Sequence, residues 1–252
     1  MKAIFKLRFS LILVTLLAPL LGFSQKNEGV VIYERQEFWS KIIGQLTYLS
    51  NEEKDRVKQT WGKNDEGWKT KTKLHFNANE SLLTNLEEAS EYGWSSRTEE
   101  YYIYRDFEKE KKIEIIEMMG KTYLLEDSLR APSWKILNQI KDVAGYICMK
   151  AVTEDTVKHQ KITAWFTGDI PVSAGPERYY GLPGLILELE INDGDVVITA
   201  SKVEFKKLTT ELALPKKLKG KKIKDADYDR LIANHIKDSI KSYRNPYWAI
   251  KY

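Results

Sequence analysis

The chain has 252 residues, with 40 Lys and Arg against 36 Asp and Glu, and a single cysteine, Cys148. Three of the basic residues, Lys2, Lys6 and Arg8, stand at the extreme N-terminus, so the other 37 face 36 acidic side chains and the rest of the chain is close to neutral. That balance argues against a nucleic-acid binder, which needs a concentrated basic face, and one thiol excludes an internal disulfide framework.

The N-terminus reads as a secretory signal peptide over residues 1–24. Lys2, Lys6 and Arg8 make the positive n-region, Leu11 to Leu21 make the apolar h-region, and Gly22 and Ser24 offer small residues for cleavage. The apolar run is about half of the ~20 residues that a spanning helix needs. The expectation is an exported protein, periplasmic or envelope-associated, that does not span the membrane once cleaved. Residues 25–252 are then read as one β-rich domain.

Beyond that point the dominant period is two. Gly29–Trp39 reads as a strand, and in Trp68–Phe76 the residues Thr70, Thr72, Leu74 and Phe76 alternate with Lys69, Lys71, Lys73 and His75. Ser50–Gln59 reads as a helix capped by Asn51, with acidic residues in its first turn. "YGWSSRTEE" around Tyr92 reads as a polar loop. Glu100–Phe107, Lys112–Met119 and Lys121–Asp127 read as strands, the last two joined at Gly120. "YICMKAV", "ITAWFT", "LILELEI" and "VVITASKVEF" are four more, with Asp193-Gly194 predicting a two-residue hairpin between the final pair. The lysine-rich run from Pro215 to Lys224 reads as a solvated connector, as do the charge runs "EEASE" and "FEKEKK" as solvated faces. Asp225–Arg244 carries Leu231, Ile232, His235, Ile236, Ile240 and Tyr243 at helical spacing. "NPYWAIKY" ends the chain with Trp248, Ile250 and Tyr252 alternating. The predicted fold class is α+β, mainly antiparallel β: a curled meander or half-barrel sheet with a packed C-terminal helix.

The densest segment runs from Gly145 to Glu190. "GYICMKA", then "AWFT" followed by "DIPVSAGP", then "GLPGLI" at Gly181–Ile186, resembles the GLPGLI family of exported bacterial proteins. The resemblance covers about a fifth of the chain. That family has no established activity, so it implies no catalytic residue. Independently of the resemblance, Pro183 fixes its own φ and pushes Leu182 towards an extended backbone, while Gly181 and Gly184 supply turn conformations or close backbone approach. Leu185, Leu187, Leu189 and Ile191 are expected on one strand face, opposite Ile186, Glu188 and Glu190. Such a loop either sets the register of a core strand or rims an apolar cleft, for which Trp165, Tyr179, Tyr180, Gly181, Leu182, Pro183 and Gly184 are the candidate lining residues.

Cys148 and Met149 adjoin, but neighbours on a strand face opposite ways, so no metal site is expected there. His75, His159 and His235 fit no ligand spacing, and no catalytic motif or cofactor fingerprint is present. The expectation is a non-enzymatic binding or carrier protein taking an apolar ligand. The alternative is an accessory subunit that docks onto an outer-membrane transporter or envelope complex. A hydrolase would need convergent carboxylates around a cleft, such as Asp169 and Glu177.

Overall fold

The computed structural model describes residues 27–61, 66–86 and 101–252. The expected signal peptide, the charge run at 87–91 and the polar loop around Tyr92 lie outside the described residues. Within them the period-two segments become β1 (Gly29–Glu37), β2 (Trp68–Phe76), β4 (Tyr101–Asp106), β5 (Lys111–Met118), β6 (Lys121–Ser128), β8 (Tyr146–Asp155), β9 (Gln160–Thr167), β10 (Leu185–Ile191) and β11 (Val196–Phe205). Three strands appear that periodicity did not announce: β3 (Glu80–Asn85), β7 (Lys135–Val143) and β12 (Lys221–Ile223). The described strands form one open, curled sheet in the order β12-β6-β5-β4-β3-β2-β1-β11-β10-β9-β8-β7. Every pairing is antiparallel except β12 with β6. The N-terminal strand β1 therefore sits in the middle, zipping the meander β2–β6 to the meander β7–β11.

The turns follow their residues. Met119 and Gly120 both have positive φ (50° and 69°), as a two-residue turn matched to the strand twist requires. The Asp193-Gly194 connection is longer than expected. Residues 192–195 bridge β10 to β11, and the amides of Gly194 and Asp195 both donate to the Ile191 carbonyl at 3.2 and 3.0 Å. The extra length leaves the Asp195 carboxylate free to accept from Tyr252 Oη (2.6 Å) and Gln45 Nε2 (2.8 Å).

Three helices accompany the sheet: α1 (Trp39–Gln45), α2 (Asn51–Trp61) and α3 (Asp225–Lys241). The first strand stops short of Trp39, because Phe38 leaves the ladder, donates its amide to Asp195 O (2.9 Å) and accepts from Lys41 and Ile42 to open α1. The cap of α2 is Ser50, not Asn51. Ser50 Oγ accepts from the Glu53 amide (3.2 Å) and Glu53 Oε2 accepts from the Ser50 amide (3.0 Å), a reciprocal capping box. In α3 the buried stripe is Tyr228, Ile232 and Ile236, at four-residue spacing. Ile240 and Tyr243 are exposed at the fraying end. His235 is packed, with Nε2 3.0 Å from Pro246 O. The final segment is not a strand. Pro246–Trp248 makes a 3-10 turn capped by Asn245, after which Ile250 and Tyr252 turn inward. Trp248 stacks on Trp39 with ring centroids 4.6 Å apart.

Two apolar clusters result. The larger joins Val31, Tyr33, Leu74 and Phe76 of the central strands to Ile162, Ala164 and Leu185–Leu189 of the second meander. The smaller packs Tyr228, Ile232 and Ile236 of α3, together with Ile250, onto Ile116, Met118, Tyr123 and Leu125.

Candidate functional site

The connection between β9 and β10, residues 168–184, lies across the inner face of the sheet. Its second half is held by backbone hydrogen bonds and by shape. Leu185 donates to Ile170 O and Ile186 to Ala174 O, each at 3.0 Å, while Ser173 Oγ donates to Leu182 O at 2.9 Å. Tyr33, fully buried on β1, donates to Ile186 O at 2.6 Å. Gly181 and Gly184 have φ of 92° and 156°, and a Cβ at Gly184 would stand 2.0 Å from Thr167 O. That contact is with backbone, so only glycine fits.

The first half is held by charge. Glu177 is buried and takes a positive φ of 55°, a conformation costly for any side chain other than glycine. Its carboxylate lies 2.7 Å from Lys251 Nζ and 3.5 Å from Arg35 Nη1, and accepts a hydrogen bond from Tyr101 Oη. Arg105, fully buried, donates to the Glu177 carbonyl at 2.6 Å and stacks over Tyr180. Burial alone would raise the Glu177 pKa. Lys251 and Arg35 overcome that and hold it at about 2. Arg178 turns the other way and bonds Glu114 (2.9 Å) and Asp225 (3.0 Å), with Asp229 at 3.7 Å. Lys112 closes this second group, 2.7 Å from Asp225 and 3.4 Å from Glu114. The sequence places Lys112 in a run expected to be solvated. It is buried because it faces the same side as Glu114 and must neutralise it.

These two ionic groups wall a cavity of about 380 Å³, at the lower end of the range in which small-molecule sites fall. Ile116, Met118, Ile191, Ile232 and Ile250 supply apolar wall. Tyr101, Tyr179, Tyr228 and Tyr252 add rings, and Arg130 and Lys158 add cations. The C-terminal segment closes one side through Lys251 and through Tyr252, whose carbonyl accepts from Arg35 Nη2 at 3.4 Å. Lys158 Nζ donates to Lys251 O at 3.1 Å. Burial pulls the Lys158 amine down to about 8, against the opposing pull of Asp155.

Of the candidate residues, Tyr179 alone lines this cavity. Tyr180 is buried beneath Arg105 and gives its carbonyl to Trp134 Nε1 at 2.8 Å. Leu182 is core, and Gly181, Pro183 and Gly184 shape the chain behind the wall. Trp165 lies across from Glu188 on β9–β10, on the face opposite Ile191. There it bonds Glu190 at 3.1 Å beneath the amines of Lys141 and Lys150. The expected alternation of Leu185–Ile191 is broken by a bulge between Ile186 and Glu188, and both faces are covered there. The cleft expected to be apolar is thus walled by paired charges as much as by apolar side chains, because Glu177 and Arg178 carry β4 and β5 partners into it. Asp169 is exposed and lies outside the cavity wall, so it does not converge with Glu177. Cys148 is buried and Met149 exposed, on opposite faces.

Arg35, Tyr101, Arg178 and Lys251 were not foreseen as site residues. One signal was available. Arg35 shares strand parity with Val31 and Tyr33, and Arg105 with Ile103, so each is a charge placed on a buried face.

A family model described as "Protein of unknown function (Porph_ging)" matches residues 152–188, which contain most of the β8–β10 unit and the loop. No curated protein matches the chain. Two crystal forms of PNGF-II are similar in structure, each with a TM-score of 0.53, at 16% and 17% identity, over 82% of this chain. The chain spans about a third of the PNGF-II chain (32% and 33%), and at this identity the likeness is one of fold.

Proposed function

We propose that this is an exported, non-enzymatic binding or carrier protein of the periplasm or envelope, holding a small ligand in the cavity beside the GLPGLI loop. The observation that carries the reading is the cavity itself: about 380 Å³, walled by strands of both meanders, the loop, α3 and the C-terminal segment. Its ion pairs are made between the protein's own side chains, which is the preorganisation a binding site needs. The charges also favour binding over catalysis. The Glu177 carboxylate is occupied by two cations and a phenol, and a base so engaged at a pKa of about 2 is poorly suited to taking a proton near neutral pH. Export rests on the charged and apolar segments before Gln25. Native mass spectrometry of protein isolated from the envelope fraction tests the reading. A co-purified small molecule, lost from Ile232→Trp, is expected. An empty protein in both forms, or an uncleaved N-terminus in the membrane pellet, would overturn it.

A second reading, an accessory subunit docking onto an envelope complex, is favoured by one different feature. Ile136, Ile140, Ile147 and Met149 are exposed together on β7 and β8, at the open edge of the sheet, with Ile140 directly opposite Met149. Under this reading Ile140→Asp releases a co-purifying protein partner and leaves any small ligand in place.

A further inference from the structure

Resting on the cavity-binding reading, we propose that the ligand is a singly charged carboxylate amphiphile, with its head between Lys158 and Arg130 and its aliphatic body against Ile116, Met118, Ile232 and Ile250.

The charged side chains of the cavity wall are unevenly paired. Five cations and four carboxylates line it: Arg35, Arg130, Lys158, Arg178 and Lys251 against Glu154, Asp155, Glu177 and Asp229. Lys251 and Arg35 are spent on Glu177. Arg178 is shared, with Lys112, among Glu114, Asp225 and Asp229. Asp155 Oδ1 is spent on the amides of Val157 and Lys158, both at 2.9 Å. Glu154 stands at an exposed position. Among the described residues no carboxylate stands within ion-pair distance of Lys158 or Arg130. Lys158 is half-buried and its amine donates to a carbonyl, whereas Arg130 is exposed. The partly buried wall cation left without a carboxylate in contact is therefore Lys158. Burial disfavours the Lys158 ammonium most, Arg35 and Arg178 add to that, and Asp155 and Glu177 offset only part of it, so an anion in direct contact recovers energy there.

The head carries one charge because Asp155, Asp229 and Glu177 remain in the wall and would repel a second. The body is apolar because α3 and β5 present Ile232, Ile116 and Met118 to the same space, and burying methylenes there is favourable. The volume suits a medium-length chain rather than a phospholipid, which would fill far more than 380 Å³.

The test uses the purified full-length mature protein, stripped of ligand and titrated with decanoate, decanol and decyltrimethylammonium by calorimetry. Decanoate is expected to bind at least about tenfold more tightly than decanol, the size of effect a charge-assisted contact gives. Lys158→Met should remove that advantage without changing decanol binding, and Lys158→Arg should keep it, with thermal melts confirming that both variants fold. Raising the pH from about 7 to about 9.5 should weaken decanoate binding to the wild type, as the Lys158 amine passes its pKa of about 8 among Asp155, Arg35, Glu177, Arg178 and Lys251. The Lys158→Arg protein should not respond. Preference for the ammonium probe, or an unchanged preference in Lys158→Met, would overturn the ligand class and leave the cavity reading standing. If no probe binds and nothing co-purifies in the cavity, both fail.

Discussion

The two halves of the β9–β10 connection lie a few residues apart and are held by opposite physics. Gly181–Gly184 is fixed by steric exclusion: positive φ angles, backbone hydrogen bonds and a glycine pressed against Thr167 O. Glu177–Arg178 is fixed by ion pairs that reach from β1, β5, α3 and the C-terminal segment. The steric half is insensitive to pH and intolerant of any added atom. The ionic half is tolerant of shape, and its strength depends on protonation. It also accepts a strained backbone at Glu177, which identifies the carboxylate as the reason a non-glycine residue occupies that position. The difference predicts which changes break the fold and which retune the site.

The largest effect is expected at Gly184. A valine there drives its Cβ to 2.0 Å from a backbone oxygen at a φ of 156°. Overpacking and backbone strain together cost on the order of 5 kcal/mol, against a total stability of ~5–15 kcal/mol. Little folded protein should accumulate. Gly181→Val is milder, because its Cβ meets a single side-chain methyl, that of Ala131 at 2.5 Å, rather than backbone. Leu182→Val removes one buried methylene and should cost about 1 kcal/mol. Thermal melts of the three variants order them, and a wild-type melt for Gly184→Val would sink the steric account.

Next comes Glu177→Leu. It leaves Arg35 buried with Glu37 as its remaining carboxylate partner and, among the described residues, leaves Lys251 with none. Removing one partner of a buried pair costs about 3–5 kcal/mol. Arg35→Met combined with Glu177→Leu should recover part of that loss, and a double mutant no better than the single would show that the ion pair is not the cause.

The same carboxylate gives a pH signature. Its folded pKa of about 2 lies below the ordinary ~4.3 of the unfolded chain. A depressed acid stabilises the fold above the unfolded value and loses that contribution as pH falls through the folded one. Stability should therefore drop between about pH 5 and pH 2 by about 3 kcal/mol from this group, measured as urea midpoints. The Glu177→Gln protein starts lower and should show a flatter profile. Parallel profiles for the two proteins would assign the acid sensitivity elsewhere.

This contrast also explains what the sequence disclosed. The steric half is local, so glycine and proline at fixed spacing announce it. So are the hairpins, and so was the Ser50–Glu53 capping box, although the neighbouring Asn51 drew the assignment. The ionic half is assembled from positions 35, 101, 177 and 251, which only the fold brings together. Edge strand β7 escaped notice because most of its residues are solvated on both faces, leaving no alternation to read. β12 is three residues in a lysine run, joined to β6 by its backbone ladder and by one exposed ion pair, Lys222 with Glu126.

The smallest effect separates the two tyrosines, which adjoin in sequence and differ in place. Tyr180 lies under Arg105 with 7% of its surface exposed, so Tyr180→Ala empties core space and should cost about 3 kcal/mol. Tyr179 meets the cavity, and its ring packs edge-on to Trp134 at 6.3 Å. Tyr179→Phe keeps that ring contact and removes only a hydroxyl that makes no hydrogen bond among the described residues. Stability should stay within about 0.5 kcal/mol of wild type. Burial, with Asp155 and Glu177 nearby, raises the Tyr179 pKa, so the hydroxyl keeps its proton at neutral pH and can donate it to an anionic head. Decanoate affinity should then fall by about fivefold, the worth of one modest hydrogen bond, while decanol affinity changes less. Calorimetry on the variant decides it: unchanged decanoate binding would place the head away from Tyr179, and a lowered melting temperature would make the hydroxyl a packing element rather than a contact for the ligand.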